Sequence, residues 1–260
     1  MRISLLQQFT VTYRFVKLSF PCRINPKMGI CDKITLEVAQ KTLDTIRERL
    51  DTKEFRFEII TPEQYEEAYD VMGNHFVPDE PISKSIGVVW DEDFEKLTYM
   101  NLIDNISLAA ISRESDEMMG VRISGFWRRS DGLTDLSWMK EGGDTKNLFT
   151  FITHREAELD FFNRYNVEEA FHFYCLGVRR NYRHHHVGEH LLQGATEFAK
   201  ALGFPAVKGE GTGPYSQRIY EHSGFEIAMT MPYDRYFVNG RAIAEGTGDI
   251  KMTKVYVKKF

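Results

Sequence analysis

The feature that most constrains the fold is a strand, a cationic turn and a helix in immediate succession, between Phe171 and Gly203. Phe171-His172-Phe173-Tyr174-Cys175-Leu176-Gly177-Val178 is a nearly unbroken apolar and aromatic run, the pattern of a strand covered on both faces. Arg179-Arg180-Asn181-Tyr182-Arg183-His184-His185-His186 makes the turn. Val187, Leu191, Leu192, Ala195, Phe198, Ala199 and Leu202 then recur at helical spacing, and Gly203 supplies the stop. A turn that feeds directly into a helix leaves backbone N–H groups unpartnered at the positive end of the helix dipole. Such a turn seats an anion, most often a phosphate.

Two further elements follow in order. Residues 205–211 read as a second short strand, and Ser216 to Ser223 as a short helix closed by Gly224, with Phe225 opening another strand. Together these segments resemble the GNAT superfamily of N-acetyltransferases. The acetyl-coenzyme A signature of that family is Arg or Gln, two residues, Gly, one residue, then Gly or Ala. Arg183 and Gly188 match it, and His186 stands where the first Gly is usual. Glycine suits a position where φ is positive or a ligand comes close. Histidine is among the other residues that tolerate positive φ best, so the loop is read as altered rather than lost. Tyr220, four residues before Gly224-Phe225, matches the next GNAT motif.

The remaining elements fit the same architecture. Leu36, Ala39, Leu43, Ile46 and Leu50 mark an amphipathic helix in an N-terminal extension of residues 1–54, whose first 34 residues are expected to be loosely attached. The catalytic domain is expected over residues 55–260. Phe55 to Ile60 alternates as a strand, and Thr61-Pro62-Glu63-Gln64 predicts a helix start with a capping box, with exit at Gly73. Pro78 and Pro81 forbid regular helix between them. A helix is predicted near 91–105, a hairpin over 107–126, a polar loop over 130–144 and a helix up to Phe162. After Phe225 come a strand to about Met231, a long loop through Asn239-Gly240 and Gly246 to Gly248, and a last strand near 250–257. This is an α/β chain, and the resemblance implies a mixed sheet flanked by helices that splays open between its fourth and fifth strands to admit the pantetheine arm of acetyl-CoA.

Making an amide from a thioester requires that the amine lose a proton, that an oxyanion find donors and that the departing thiolate be protonated or stabilised. Phe76-Val77-Pro78-Asp79-Glu80-Pro81-Ile82 is similar to a segment of the insect-type arylalkylamine N-acetyltransferases in which the Glu is the general base. The resemblance assigns that role to Glu80, with Asp79 a bystander, and gives Thr212 and Ser216 the place of two hydroxyl residues that relay a proton or hold the amine. Ser216 also stands where a helix N-cap belongs. Tyr220 is expected as the acid beside the sulfur. Leu176, Gly177 and Val178 are expected along the cofactor arm, with an oxyanion-binding N–H near Leu176; Gly177 is compatible with a bulge or with close approach of the cofactor to the backbone. Arg183, His184, His185, His186, Val187, Gly188 and Glu189 are expected to cradle the diphosphate, and Arg179 and Arg180 to answer the adenosine phosphate. Phe76, Trp127, Trp138, Phe151, Phe161 and Phe162 are candidate walls for an aromatic acceptor.

Composition narrows the rest. A net charge of −5 argues against nucleic acid, and no run has the length of an apolar membrane span. Three cysteines without regular spacing suit a reducing compartment, and the pattern of a secretory signal is absent. No metal is expected, because the histidine triplet has no second cluster to complete a ligand set. The expectation is a cytoplasmic monomer that joins acetyl-CoA to a small amine such as dopamine, tyramine, octopamine or serotonin. Two rivals stay open: a GNAT enzyme for a polyamine, an amino acid or a protein N-terminus, and a coenzyme A-binding module without catalysis.

Overall fold

The computed structural model describes residues 28–245 and 251–260. The loose attachment expected of the first 34 residues falls mainly on residues 1–27, outside the described residues, as does the Gly246 to Gly248 part of the last loop. Residues 28–34 are not loose: Cys31 is buried, and the Glu169 carboxylate accepts from the N–H groups of Ile30 and Cys31.

Helix α1 (Leu36–Leu50) starts at Thr35, whose hydroxyl accepts from Val38 N–H at 3.2 Å. It turns Ala39, Leu43 and Ile46 into the core. Strand β1 (Phe55–Ile59) follows the expected alternation. A 3-10 turn over Pro62–Gln64 then leads to α2 (Tyr65–Asp70). The Gln64 side chain accepts from Thr61 N–H at 3.2 Å, the return half of the expected box, but the Thr61 hydroxyl donates to Glu63 instead. The helix does not exit at Gly73. It widens into a π-helical turn over Val71–Phe76, and a Cβ on Gly73 would lie 2.9 Å from the Trp90 ring.

No regular α-helix runs between Pro78 and Pro81, as expected, but the second proline begins one. After a 3-10 turn over Val77–Asp79, Pro81 opens helix α3 (Pro81–Ile86), which ends at Gly87 with φ of 85°. A proline at the first helical position lacks only an N–H that would have gone unused. Helix α4 (Glu92–Leu102), strands β2 (Leu108–Ser112) and β3 (Met118–Arg128), and helices α5 (Asp144–Leu159) and α6 (Phe161–Tyr165) follow. The last two are separated at Asp160, which takes φ of 46°. Strand β4 (Glu169–Val178), α7 (Val187–Ala201), β5 (Ala206–Gly211), α8 (Pro214–His222) and β6 (Glu226–Pro232) complete the central unit. A small hairpin of β7 (Phe237–Val238) and β8 (Arg241–Ala242) turns at Asn239-Gly240, both at positive φ, before β9 (Met252–Lys259).

The seven strands of the main sheet run in the order β1-β2-β3-β4-β5-β9-β6. All neighbours are antiparallel except β4 and β5, which are parallel and pair only at Phe171–Val207 and His172–Lys208. Beyond those pairs the two strands diverge. Tyr174 is an extra residue in β4: Ile123 faces Cys175 and Ser124 faces Phe173. The bulge therefore sits three residues before Gly177, and it bends β4 at the fork. Gly177 serves packing instead, since a Cβ there would press on Val71 at 3.1 Å and Phe76 at 3.4 Å in the π-helical turn.

One face of the sheet packs on α1 and α7 through Phe55, Phe57, Phe171, Phe173, Leu191 and Phe198. The other packs on α2 to α5 through Met72, Ile82, Phe94, Ile123 and Phe151. Among the described residues no helix is long and apolar enough to cross a membrane. Leu43 is wholly buried between α1 and this core. Leu43→Ala is expected to lower unfolding free energy by about 2–5 kcal/mol in urea titrations; a change under about 1 kcal/mol would mean that α1 is not part of the folded unit.

Candidate active site

The divergence of β4 and β5 opens a cleft of about 470 Å³. Phe173, Tyr174, Cys175, Leu176 and Val178 of β4 line one wall. Glu210 and Thr212, with Ser216 and Tyr220 of α8, line the other, and Glu80 enters from the start of α3. With no strand beside it there among the described residues, β4 turns the backbone groups on its β5 side toward the cleft rather than into a ladder.

One mouth of the cleft is the start of α7, lined by Arg183, His184, Val187 and Gly188. His186 is the N-cap of α7 with φ of 58°, and His184 has φ of 72°. The position where glycine is usual thus has the left-handed backbone that glycine favours, and histidine adopts it. Among the described residues the N–H groups from His184 to Glu189 meet no acceptor. The side chains of His185 and His186 stand outside the cleft, exposed, beside Glu54 and Glu189 at 3.8 and 3.2 Å. Glu189 and Gly177 do not line it either.

The arginines of this turn are already engaged. Arg180 makes two hydrogen bonds to Asp79, at 3.1 and 3.2 Å, and Arg183 reaches the same carboxylate at 2.8 Å. Arg183 also donates to His75 O at 2.6 Å. Arg179 pairs with Asp70 and donates to Met118 O at 2.7 Å. Asp79 is therefore a strut between the turn and the segment that carries Glu80. Hydrogen bonds from Arg180 and Arg183 hold its carboxyl below the usual carboxylate range.

Glu80 is buried, and its carboxylate caps α3: Oε1 accepts from Ile82 N–H at 3.1 Å and Oε2 from Ser83 N–H at 2.6 Å. These bonds fix the carboxylate on the cleft wall while each oxygen keeps a lone pair. Ser216 is not an N-cap. It is the third residue of α8, and its hydroxyl both accepts from Gly213 N–H at 3.2 Å and donates to Gly213 O at 3.0 Å. Thr212 lines the cleft, and its carbonyl accepts from the Tyr233 hydroxyl at 2.7 Å.

Tyr220 is buried and stacked on Tyr256, with centroids 4.7 Å apart and planes 8° apart. Its hydroxyl oxygen accepts from Arg122 Nη2 at 2.7 Å. A Cβ on Gly209 would lie 2.2 Å from that oxygen, so the absence of a side chain there makes room for the phenol. Burial raises the pKa of the phenol, and Arg122 opposes the rise.

Beneath the cleft lies a closed set of buried charges. Lys208 Nζ donates to Glu156 at 2.9 Å, to Glu210 at 2.7 Å and to His172 Nε2 at 2.9 Å, and Glu210 also pairs with Arg155. Burial and the Lys208 charge push the His172 pKa well down, so the ring is neutral and carries its proton on Nδ1.

No protein-family model matches the chain. Solved structures do. Arylalkylamine N-acetyltransferase 2 from Aedes aegypti superposes with a TM-score of 0.72 at 24% identity, over 79% of this chain and 98% of that one. A mosquito arylalkylamine N-acetyltransferase-like 5b gives 0.72 at 22% identity, over 79% and 100%. The Drosophila melanogaster polyamine N-acetyltransferase, an enzyme that forms N-acetylagmatine, gives 0.71 at 16% identity, over 80% and 100%. The fold is the GNAT acetyltransferase fold.

Within this GNAT fold the expected residues Glu80, Thr212, Ser216, Tyr220, Leu176, Val178, Arg183, His184, Val187 and Gly188 meet at one cleft. Of the proposed aromatic walls only Phe76 does. Trp127 lies beneath, tilted against the His172 ring, and the apolar lining comes from Phe94, Leu148, Phe149, Ile152 and Tyr174. Sequence reasoning missed Arg122, His172 and Glu210. The signal for them is an ionisable residue inside a strand otherwise apolar enough to be buried.

Gly209→Ala is expected to displace the Tyr220 phenol and to destabilise by about 1–3 kcal/mol, read by thermal melting. Asp79 gives a pH signature. Its folded pKa lies below the unfolded value of about 3.9, so its contribution is complete above that value and is lost as pH falls through the folded one. Asp79→Asn should lower the melting temperature at pH 6, and the difference should shrink as pH falls below about 3.9.

Proposed function

We propose that the chain is an acetyl-CoA-dependent N-acetyltransferase acting on arylalkylamines. The observation that carries this reading is that a fixed buried carboxylate, a buried phenol and an open helix mouth share one cleft, those groups being Glu80, Tyr220 and the first turn of α7. The free N–H groups from His184 to Glu189 suit the diphosphate of the cofactor, with the helix dipole favouring its charge. The pantetheine arm would run along Val178 and Leu176, where β4 lacks a neighbour among the described residues, and a β4 N–H there would donate to the oxyanion.

The amine attacks the thioester carbonyl directly. Glu80 takes the amine proton, and Tyr220 gives its proton to the departing sulfur. Because two backbone bonds hold the Glu80 carboxylate, its positioning costs little entropy during the reaction. The hydroxyls of Thr212 and Ser216 hold the amine or a relaying water. Phe94, Leu148, Phe149, Ile152 and Tyr174 offer an apolar chamber for an aromatic ring, and Glu80 supplies attraction for its cationic amine. In this reading the catalytic unit spans residues 55–260, α1 docks on its back, no metal takes part, and the protein works as a cytoplasmic monomer. Acceptors such as agmatine or spermidine lack a ring to fill the chamber, which is the reason for preferring arylalkylamines.

The test is thiol release from acetyl-CoA with dopamine, tyramine, octopamine and serotonin set against agmatine, spermidine, amino acids and an N-terminal peptide. Turnover should be highest with the arylalkylamines. Glu80→Gln should lower kcat by roughly 10²–10⁴ while coenzyme A still binds. Equal turnover of wild type and variant across pH would remove Glu80 from the mechanism.

A further inference from the structure

The buried cations of this molecule are treated unequally. Arg155 and Lys208 each meet carboxylates. Arg122, from the middle of β3 opposite Leu176, does not. It is 2% exposed and lines the cleft, yet among the described residues its guanidinium has no ion-pair partner. Its Cζ lies 3.9 Å from the Phe173 ring centroid, its Nη2 donates to Tyr220, and among the described residues its Nε has no hydrogen-bond partner. Burying an unanswered cation is costly, and a hydrophobic side chain of similar size would be more stable in its place. Such a cost kept on the wall of a cleft points to a charge that forms there during a reaction.

The geometry names that charge. Tyr220 spends an oxygen lone pair on Arg122, so its own hydrogen is directed elsewhere, and among the described residues nothing accepts it. The phenol ring is clamped between the Tyr256 ring, the Phe225 ring in a T-shaped contact with centroids 5.1 Å apart, and the bare backbone of Gly209. It has one direction left, into the cleft.

We propose that Arg122 is the electrostatic partner of the leaving group: it aims the phenolic O–H of Tyr220 at the thioester sulfur and pairs with the negative charge released there. This rests on the acetyltransferase reading of the cleft. In the transfer the amine nitrogen forms the N–C bond, the C–S bond breaks and its electron pair stays on sulfur. Glu80 takes the amine proton, and sulfur takes the phenolic proton. The phenolate left behind is held by Arg122 until the proton on Glu80 returns to it through solvent.

Free coenzyme A provides a test that needs no amine. Its thiol ionises only above neutral pH, and an adjacent unpaired cation favours the thiolate. Wild-type protein should bind coenzyme A about tenfold more tightly at pH 8.5 than at pH 6.5, measured by calorimetry against desulfo-coenzyme A, which lacks the thiol and should show no such rise. The other titratable groups around the guanidinium are Tyr220 on α8, Cys175 and His172 on β4, and Tyr256 behind Tyr220 on β9. Burial pushes the Cys175 thiol up to about 12, raises both phenols and keeps His172 neutral, so none of them titrates in that window.

Arg122→Met should abolish the pH rise, lower kcat at least tenfold with the KM for acetyl-CoA within about threefold, and melt no lower than wild type. Arg122→Gln keeps a donor for Tyr220 without the charge, and it should also lose the pH rise. Arg122→Met combined with Tyr220→Phe should be no slower than the worse single variant, because the two act on the same step. Parallel profiles for coenzyme A and desulfo-coenzyme A in the wild type would overturn the role of Arg122 and leave the acetyltransferase reading standing. Failure of both ligands to bind would overturn that reading as well.

Discussion

The site depends on how little of β4 and β5 is paired. Two residue pairs hold the parallel strands together, and everything past them is open. A parallel pair has evenly spaced, slanted bonds and gains from each added residue, so stopping after two requires a cause. One is the extra residue Tyr174, which bends β4 away at the fork. Another is Glu210 on β5, which turns to Lys208 and Arg155 where its strand leaves β4. The outer strands β9 and β6 continue the sheet on the far side, so the fork is closed at one end and cannot simply fall apart.

Charge is distributed around this fork in three arrangements. At the mouth, Asp79 gathers Arg180 and Arg183, which leaves the turn's backbone rather than its side chains to meet an anion. Under the floor, Arg155, Glu210, Lys208 and Glu156 compensate one another and hold His172 in one tautomer. Between them Arg122 is left, among the described residues, with a phenol and an aromatic face. The first two arrangements stiffen the walls, whereas the third stores an unmatched field where a reaction can use it.

The sequence carried the order of the elements and the anion-binding turn, because both are local. The apolar run of β4, the helical spacing from Val187 and the glycine after α8 each specify their own neighbourhood. It carried the meeting of Glu80 with Tyr220 only through resemblance, since no pattern in the chain brings positions so far apart together. What was not legible depended on tertiary context. Pro81 looks like a breaker and becomes a helix opener once Glu80 caps it. Gly73 looks like a stop and lies inside a π-helical turn because Trp90 packs on it. The arginines near the turn looked available for phosphate, yet carboxylates from α2, the following 3-10 turn and the β2–β3 connection reach them first. Arg122 gave a faint signal, a charge in an apolar strand, which reads equally as an exposed edge until the strand is known to be central.

The docking of α1 has a practical consequence for anyone dissecting the molecule. Ala39, Leu43 and Ile46 cover the back of α7 and part of β1, the same α7 whose front carries the free N–H groups. A fragment begun at Phe55 would bare that apolar stripe to water, and a loosened α7 would blur the anion seat even though every residue lining the cleft was still present. Shortened versions should therefore keep Thr35 and the whole of α1, or their weak ligand binding would be misread as a defect of the cleft.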